Sequence, residues 1–183
     1  MKDIRFYSTN NPGERVDFQT ALLAGMASRY GLYMIDRKDI PSIPLERIDL
    51  QKGKTYAEIA HEVLEPFLGR EIPPDTLKKL LDDAYDAEKI PTIVQRVTGK
   101  TYIMWLTRGP TYSFKDYAAR FFGRMLNFFL GEKGLRRVVI VATSGDTGGA
   151  VADALLGLSN IDNIVFYPKG SISEGHRRQM TTL

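Results

Sequence analysis

A lysine and a glycine-rich turn carry most of the chemical possibilities in this 183-residue sequence. The lysine stands in Gly109-Pro110-Thr111-Tyr112-Ser113-Phe114-Lys115-Asp116. Ser113 and Asp116 have the spacing of a capping box, with Ser113 as N-cap and Asp116 at N3. Apolar residues then recur at 114, 118, 121, 122, 125, 126 and 129, which is helical spacing. Gly131 is the expected stop, at C′. Lys115 falls at N2, where the helix dipole disfavours an ammonium by a few tenths to about 1 kcal/mol. Burial would act in the same direction. A neutral amine forms a Schiff base with an aldehyde; an ammonium does not. By local pattern alone, Lys115 is either such an amine or an ordinary solvated helix lysine.

The second stretch opens with Val138-Val139-Ile140-Val141-Ala142, an apolar, largely β-branched run suited to a strand covered on both faces. Thr143-Ser144-Gly145-Asp146-Thr147-Gly148-Gly149 follows as a turn, and a small-residue helix is expected over 149–157. Strand, glycine turn and helix N-terminus together make an anion site, because unpaired backbone N–H groups converge there. An ordinary βα loop of a parallel sheet has the same pattern.

Paired in this order, the two stretches resemble those of the threonine synthases, in the tryptophan-synthase-β-like group. That family carries a Gly-Pro-Thr-x-x-Phe-Lys-Asp segment and a Thr-Ser-Gly-Asp-Thr-Gly signature. The resemblance implies pyridoxal phosphate (PLP) as cofactor, held by Lys115 with Phe114 and Asp146 beside it. Asp146 would face the 3′-oxygen of the ring. It also implies that Thr143, Ser144, Gly145, Thr147 and Gly148 wrap the substrate α-carboxylate. The implied reaction is that of a carbon–oxygen lyase, in which O-phospho-L-homoserine and water give L-threonine and phosphate. Arg108 is a candidate for the substrate phosphate or an ordinary surface arginine. Thr107-Arg108 stands where the family commonly has Phe-His, and Tyr112-Ser113 replaces a more apolar pair.

The remaining elements must position these residues. Ile4–Tyr7 is expected as a short strand, 8–13 as a turn cluster and 17–27 as a helix. Gly31–Met34 reads as extended, and Pro41–Pro44 as a linker. Thr55-Tyr56-Ala57-Glu58 is a second capping box opening a helix, with Pro66 near its end. Pro73-Pro74-Asp75 starts a further helix. Tyr7-Ser8-Thr9, Gly31-Leu32-Tyr33 and Tyr56–Ala60 resemble the lead domain of bacterial and fungal threonine synthases. From about Ile90, strands at 102–106, 138–142 and 164–167 alternate with helices, which argues for a parallel sheet. Ser173 is expected to cap a last helix through Met180. The expected class is α/β. A small, mostly helical N-terminal domain over 1–89 precedes, over 90–183, part of a three-layer parallel-sheet PLP domain of fold type II.

Composition narrows the chemistry. Hydrophobic content is 43%, charged content 26% and formal net charge +3, which suits a globular chain. There is no cysteine, so disulfides and thiolate chemistry are excluded. His61 and His176 begin no zinc-ligand motif, and no basic run is interleaved with aromatics. Gly53-Lys54-Thr55 and Gly99-Lys100-Thr101 lack the earlier glycine of a P-loop, with Ile48 and Val94 in its place, and read as turns. Ala142 stands where a hydrolase elbow needs its first glycine, so Ser144 is not such a nucleophile. With no apolar leader after Met1 and no long apolar run, a cytoplasmic location is the default. A small-molecule substrate, no nucleic acid, no membrane, and a monomer or homodimer are expected. The second glycine loop and the pyridine-nitrogen partner of the PLP group are not found before Gln179-Met180-Thr181-Thr182-Leu183. The chain therefore reads as an inactive N-terminal fragment. Another PLP lyase of the group, and a non-catalytic binding remnant, are the competing readings.

Overall fold

The structure is a computed structural model that describes residues 3–49 and 52–182. Parts of the sequence-read termini, Met1-Lys2 and Leu183, lie outside the described residues. The fold is mixed α/β, in two compact units that divide at Leu81/Asp82.

The first unit opens with β1 (Phe6–Ser8), β2 (Asn11–Val16), α1 (Phe18–Ala24) and β3 (Tyr33–Ile35). The strands form an antiparallel sheet ordered β2-β1-β3. The expected turn at 8–13 is shorter than predicted, because Asn11-Pro12-Gly13 belongs to β2. An edge strand accommodates proline, which has no N–H for a ladder. Asp17 caps α1, and Gly25 ends it before the predicted Ala27. Next come α2 (Leu45–Asp49), α3 (Tyr56–Leu68) and α4 (Pro74–Ala84), the last running through the division. Thr55 and Glu58 form the predicted capping box, with Pro66 inside the last turn of α3. Leu68, Ile72, Leu77 and Leu81 supply buried apolar side chains.

The second unit contains β4 (Ile93–Thr98), β5 (Thr101–Trp105), α5 (Lys115–Glu132), β6 (Arg137–Ala142), α6 (Asp146–Leu155), β7 (Ile161–Phe166) and α7 (Glu174–Thr181). β5 does not join the predicted parallel sheet. It pairs antiparallel with β4, across the short turn at Gly99-Lys100, as a separate hairpin. The parallel pairing is β6 with β7, from Arg137↔Ile161 to Ala142↔Phe166. The predicted coverage of β6 on both faces is also corrected. Val138, Ile140, Ile164 and Phe166 share one face of this pair and are exposed, Ile140 to 64%. The other face holds half-buried Val139, Val141 and Val165, and Val165 lies against Gly148 of α6. An apolar strand is suited to burial on both faces, but each face needs its own covering layer.

α5 is the most deeply buried helix of this unit. Met125, Phe129 and Leu130 are essentially sealed, and Ala119 packs against Ala150 and Ala154 of α6. Arg120 and Arg124 are buried there too, with donors spent on fixed acceptors. Arg120 donates to the Ala84 and Asp83 carbonyls and to Asp153; Arg124 donates to Asp83 Oδ2 and the Ala154 carbonyl. Burial pushes the Asp153 carboxyl up, against the pull of Arg120. The helix passes the predicted stop at Gly131 and ends at Lys133, with Gly134 at φ 62°. The Leu135 N–H donates back to the Leu130 carbonyl, closing a Schellman-type end at Gly134.

Candidate functional site

The lysine helix begins one residue later than the capping-box reading predicts. Phe114 is its N-cap in αR conformation, so Lys115 is the first helical residue rather than the second. Ser113 accepts from the Lys115 N–H through its hydroxyl, at 3.3 Å. Asp116 does not return to Ser113 as a capping box requires. Its carboxylate accepts from the Thr111 N–H at 3.0 Å and from the Thr111 hydroxyl, and it is almost fully buried. The carboxylate therefore closes the Gly109–Ser113 loop on itself. Gly109 is required there because a Cβ would strike the Asp116 carboxylate.

The glycine turn is tighter than predicted, since α6 starts at Asp146 instead of 149. Gly145, at φ 155°, makes the corner; an L-residue is strained in that conformation. Thr143 Oγ1 accepts from the Gly145 and Gly148 N–H groups at 3.1 and 3.2 Å. The amides of Asp146 and Thr147 lie in the first turn, which offers no acceptor within the helix. With exposed Ser144 beside them, they form the part of the turn open to an anion.

Lys115 and the turn meet. Lys115 Nζ lies 3.6 Å from Asp146 Oδ2 and 4.5 Å from the centroid of the Phe114 ring. Carboxylate and ring face both suit an ammonium. The lysine side chain is 31% exposed, so the amine remains reachable. Arg108 lies over the Trp105 ring, 5.6 Å from its centroid.

Sequence reasoning predicted α7 but gave none of its side chains a place at the site. Ser173 caps it as predicted, accepting from the His176 N–H. The helix then sends three side chains to the motifs. His176 Nε2 is 2.9 Å from Asp146 Oδ1. The Gln179 amide donates to the Thr111 carbonyl at 3.1 Å, and Met180 Sδ lies where a Cβ on Gly148 would come within 2.6 Å. Their i, i+3, i+4 spacing marks one helix face and was the available signal. What that face meets was not visible in the spacing.

The profile of the threonine synthase N terminus matches residues 5–85. Over 182 residues the chain is 36% identical to the threonine synthase of Pseudomonas aeruginosa, covering 98% of this chain and 38% of that protein. The Escherichia coli threonine synthase is 32% identical over 180 residues, covering 98% and 40%. Among solved structures, PLP-bound threonine synthase from Brucella melitensis superposes with a TM-score of 0.89 at 35% identity, over 97% of this chain and 38% of that one. The yeast threonine synthase gives 0.86 at 30%, over 99% and 38%. The chain thus spans about two fifths of the length of these relatives. With homology along nearly its whole length and the fold to match, the chain belongs to the threonine synthase family.

Proposed function

We propose that the chain provides the lysine and carboxylate-turn part of a threonine synthase, which converts O-phospho-L-homoserine and water to L-threonine and phosphate. The observation that carries this reading is the reachable Lys115 amine beside Asp146 at the head of an exposed anion turn. PLP fits the donor set: one amine for its aldehyde end, with the Phe114 ring and the Asp146 carboxylate next to it. When bound, PLP supplies a conjugated ring into which electrons released at a substrate carbon delocalise.

The chain's own groups supply the rest. Lys115 would hold the aldehyde end and would move the proton at the substrate α-carbon. The Asp146 and Thr147 amides, with Ser144, bind the α-carboxylate and orient the α C–H bond; Thr143, Gly145 and Gly148 hold the shape of that turn. Arg108 is assigned to the phosphate, since a guanidinium matches phosphate bidentately. Residues 1–89 act as the family's lead domain, and 90–183 open its catalytic domain. A small-molecule substrate, a cytoplasmic location and a monomeric or homodimeric state belong to the same reading. Among the described residues, no helix is long and apolar enough to cross a membrane.

Incubation with PLP and then borohydride tests the reading. The reduced cofactor is expected on Lys115, identified by peptide mass spectrometry, and Lys115→Ala abolishes the labelled peptide. Label spread over surface lysines with Lys115 unmodified contradicts it.

A further inference from the structure

Gln179 of α7 lies across both halves of the site. Its side-chain amide donates to the Thr111 carbonyl in the lysine loop at 3.1 Å. The same side chain rests on Gly149 of α6, where a Cβ would fall 3.0 Å from Gln179 Oε1. Thr111 is buried, and each of its polar groups is engaged. Its N–H and hydroxyl donate to Asp116, and its carbonyl accepts from Gln179. Asp116 is the neighbour of Lys115 in the first turn of α5. Packing at Ala119, Ala150 and Ala154 sets where α5 and α6 lie, but it is further along both helices. The Lys115–Asp146 ion pair is partly exposed, and such pairs fix little. A hydrogen bond to a buried carbonyl holds more firmly, because breaking it leaves the carbonyl without a partner.

We infer that Gln179 is a positioning residue for Lys115: acting through Thr111 and Asp116, it fixes the lysine loop against the glycine turn, so that the amine keeps its spacing to Asp146. Without the Gln179 N–H, Asp116 still closes the loop on itself, but the loop is no longer tied to the start of α6. The consequence for catalysis rests on Lys115 being the cofactor lysine, as proposed above; the contacts themselves do not.

Zero-length cross-linking tests this without PLP, so its outcome is separate from the borohydride test. A water-soluble carbodiimide joins Lys115 Nζ to the Asp146 carboxyl as an amide and takes up the water as a urea. The yield is read by peptide mass spectrometry against the Lys89–Asp86 pair of the same chain, 3.8 Å apart, which involves none of these residues. Gln179→Met keeps an unbranched side chain of similar length and removes the donor. It is expected to lower the Lys115–Asp146 yield at least about threefold relative to Lys89–Asp86, since a proximity-driven reaction is steep in placement. The Thr111 amide should stay protected from exchange, because its bond to Asp116 remains. A Gln179 that merely adds stability would lower the unfolding midpoint and leave the cross-link ratio of the folded variant level, and that result overturns the inference. In the unaltered chain a Gln179 side-chain amide proton should exchange slowly by NMR. Exchange of both as fast as in a free glutamine side chain overturns the inference even if the variant does not fold.

Discussion

Two helices in this chain open on the same short pattern, and only one opens as the pattern dictates. Thr55-x-x-Glu58 closes both capping-box bonds: the Glu58 N–H donates to Thr55 Oγ1 at 3.2 Å, and the Thr55 N–H to Glu58 Oε2 at 2.7 Å. Ser113-x-x-Asp116 closes neither. Asp116 takes both its bonds from Thr111, and Ser113 is left accepting from Lys115 at 3.3 Å. Both patterns offer a hydroxyl and a carboxylate three residues apart. The difference is the competing donor. A folded loop brings the Thr111 N–H and hydroxyl to Asp116 in a buried place, where leaving them unpaired is costly. The exposed Thr55 end meets no such rival. A capping box thus predicts a helix start reliably and its hydrogen bonds only where nothing stronger is near.

The largest break in this comparison should come from Asp116→Ala. It strands a buried N–H and a buried hydroxyl of Thr111, for a loss of about 2–4 kcal/mol in denaturant unfolding of the second unit. PLP–borohydride labelling of Lys115 should fall with it, because the loop that presents the lysine is released. Thr55→Ala should cost less, about 1 kcal/mol, and mainly fray the first turn of α3 in amide exchange. Acidification should weaken the same turn further down the scale. Hydrogen bonds from the Thr55 backbone and then its side chain lower the Glu58 carboxyl, so their support is complete above the usual carboxylate range. It is lost as pH falls through the depressed folded value. Amide exchange of 55–58 against pH reads this, and the first turn of α5 should not share the transition. Ser113→Ala should be smallest, a few tenths of a kcal/mol, since its hydroxyl accepts one long bond. A Ser113→Ala effect equal to that of Thr55→Ala would remove the contrast.

Much of the fold was readable in the chain itself. Periodicity and caps placed α3, α4, α5 and α7, because those signals act within a turn or two of backbone. The strands at 138–142 and 164–167 were legible as apolar runs, and their mutual pairing followed from the intervening helix. β5 was misassigned because one strand pattern serves either a parallel sheet or a hairpin, and only the partner strand decides. The α5 end moved from Gly131 to Gly134 because Gly134 takes the left-handed C′ position, and of two glycines three residues apart the pattern alone does not say which will.

The candidate site divides the same way. By itself, the amino-acid sequence determined that a lysine would open one helix and a glycine corner another, with a strand between them. It also set the residue types able to grip an aldehyde and an anion. Tertiary structure decided that Lys115 and His176 share the two oxygens of Asp146, that Asp116 turns to Thr111, and that one face of the β6–β7 pair stays open. Caps and periodicity depend on neighbours along the backbone, whereas shared carboxylates and covered faces depend on groups that meet only after the helices pack.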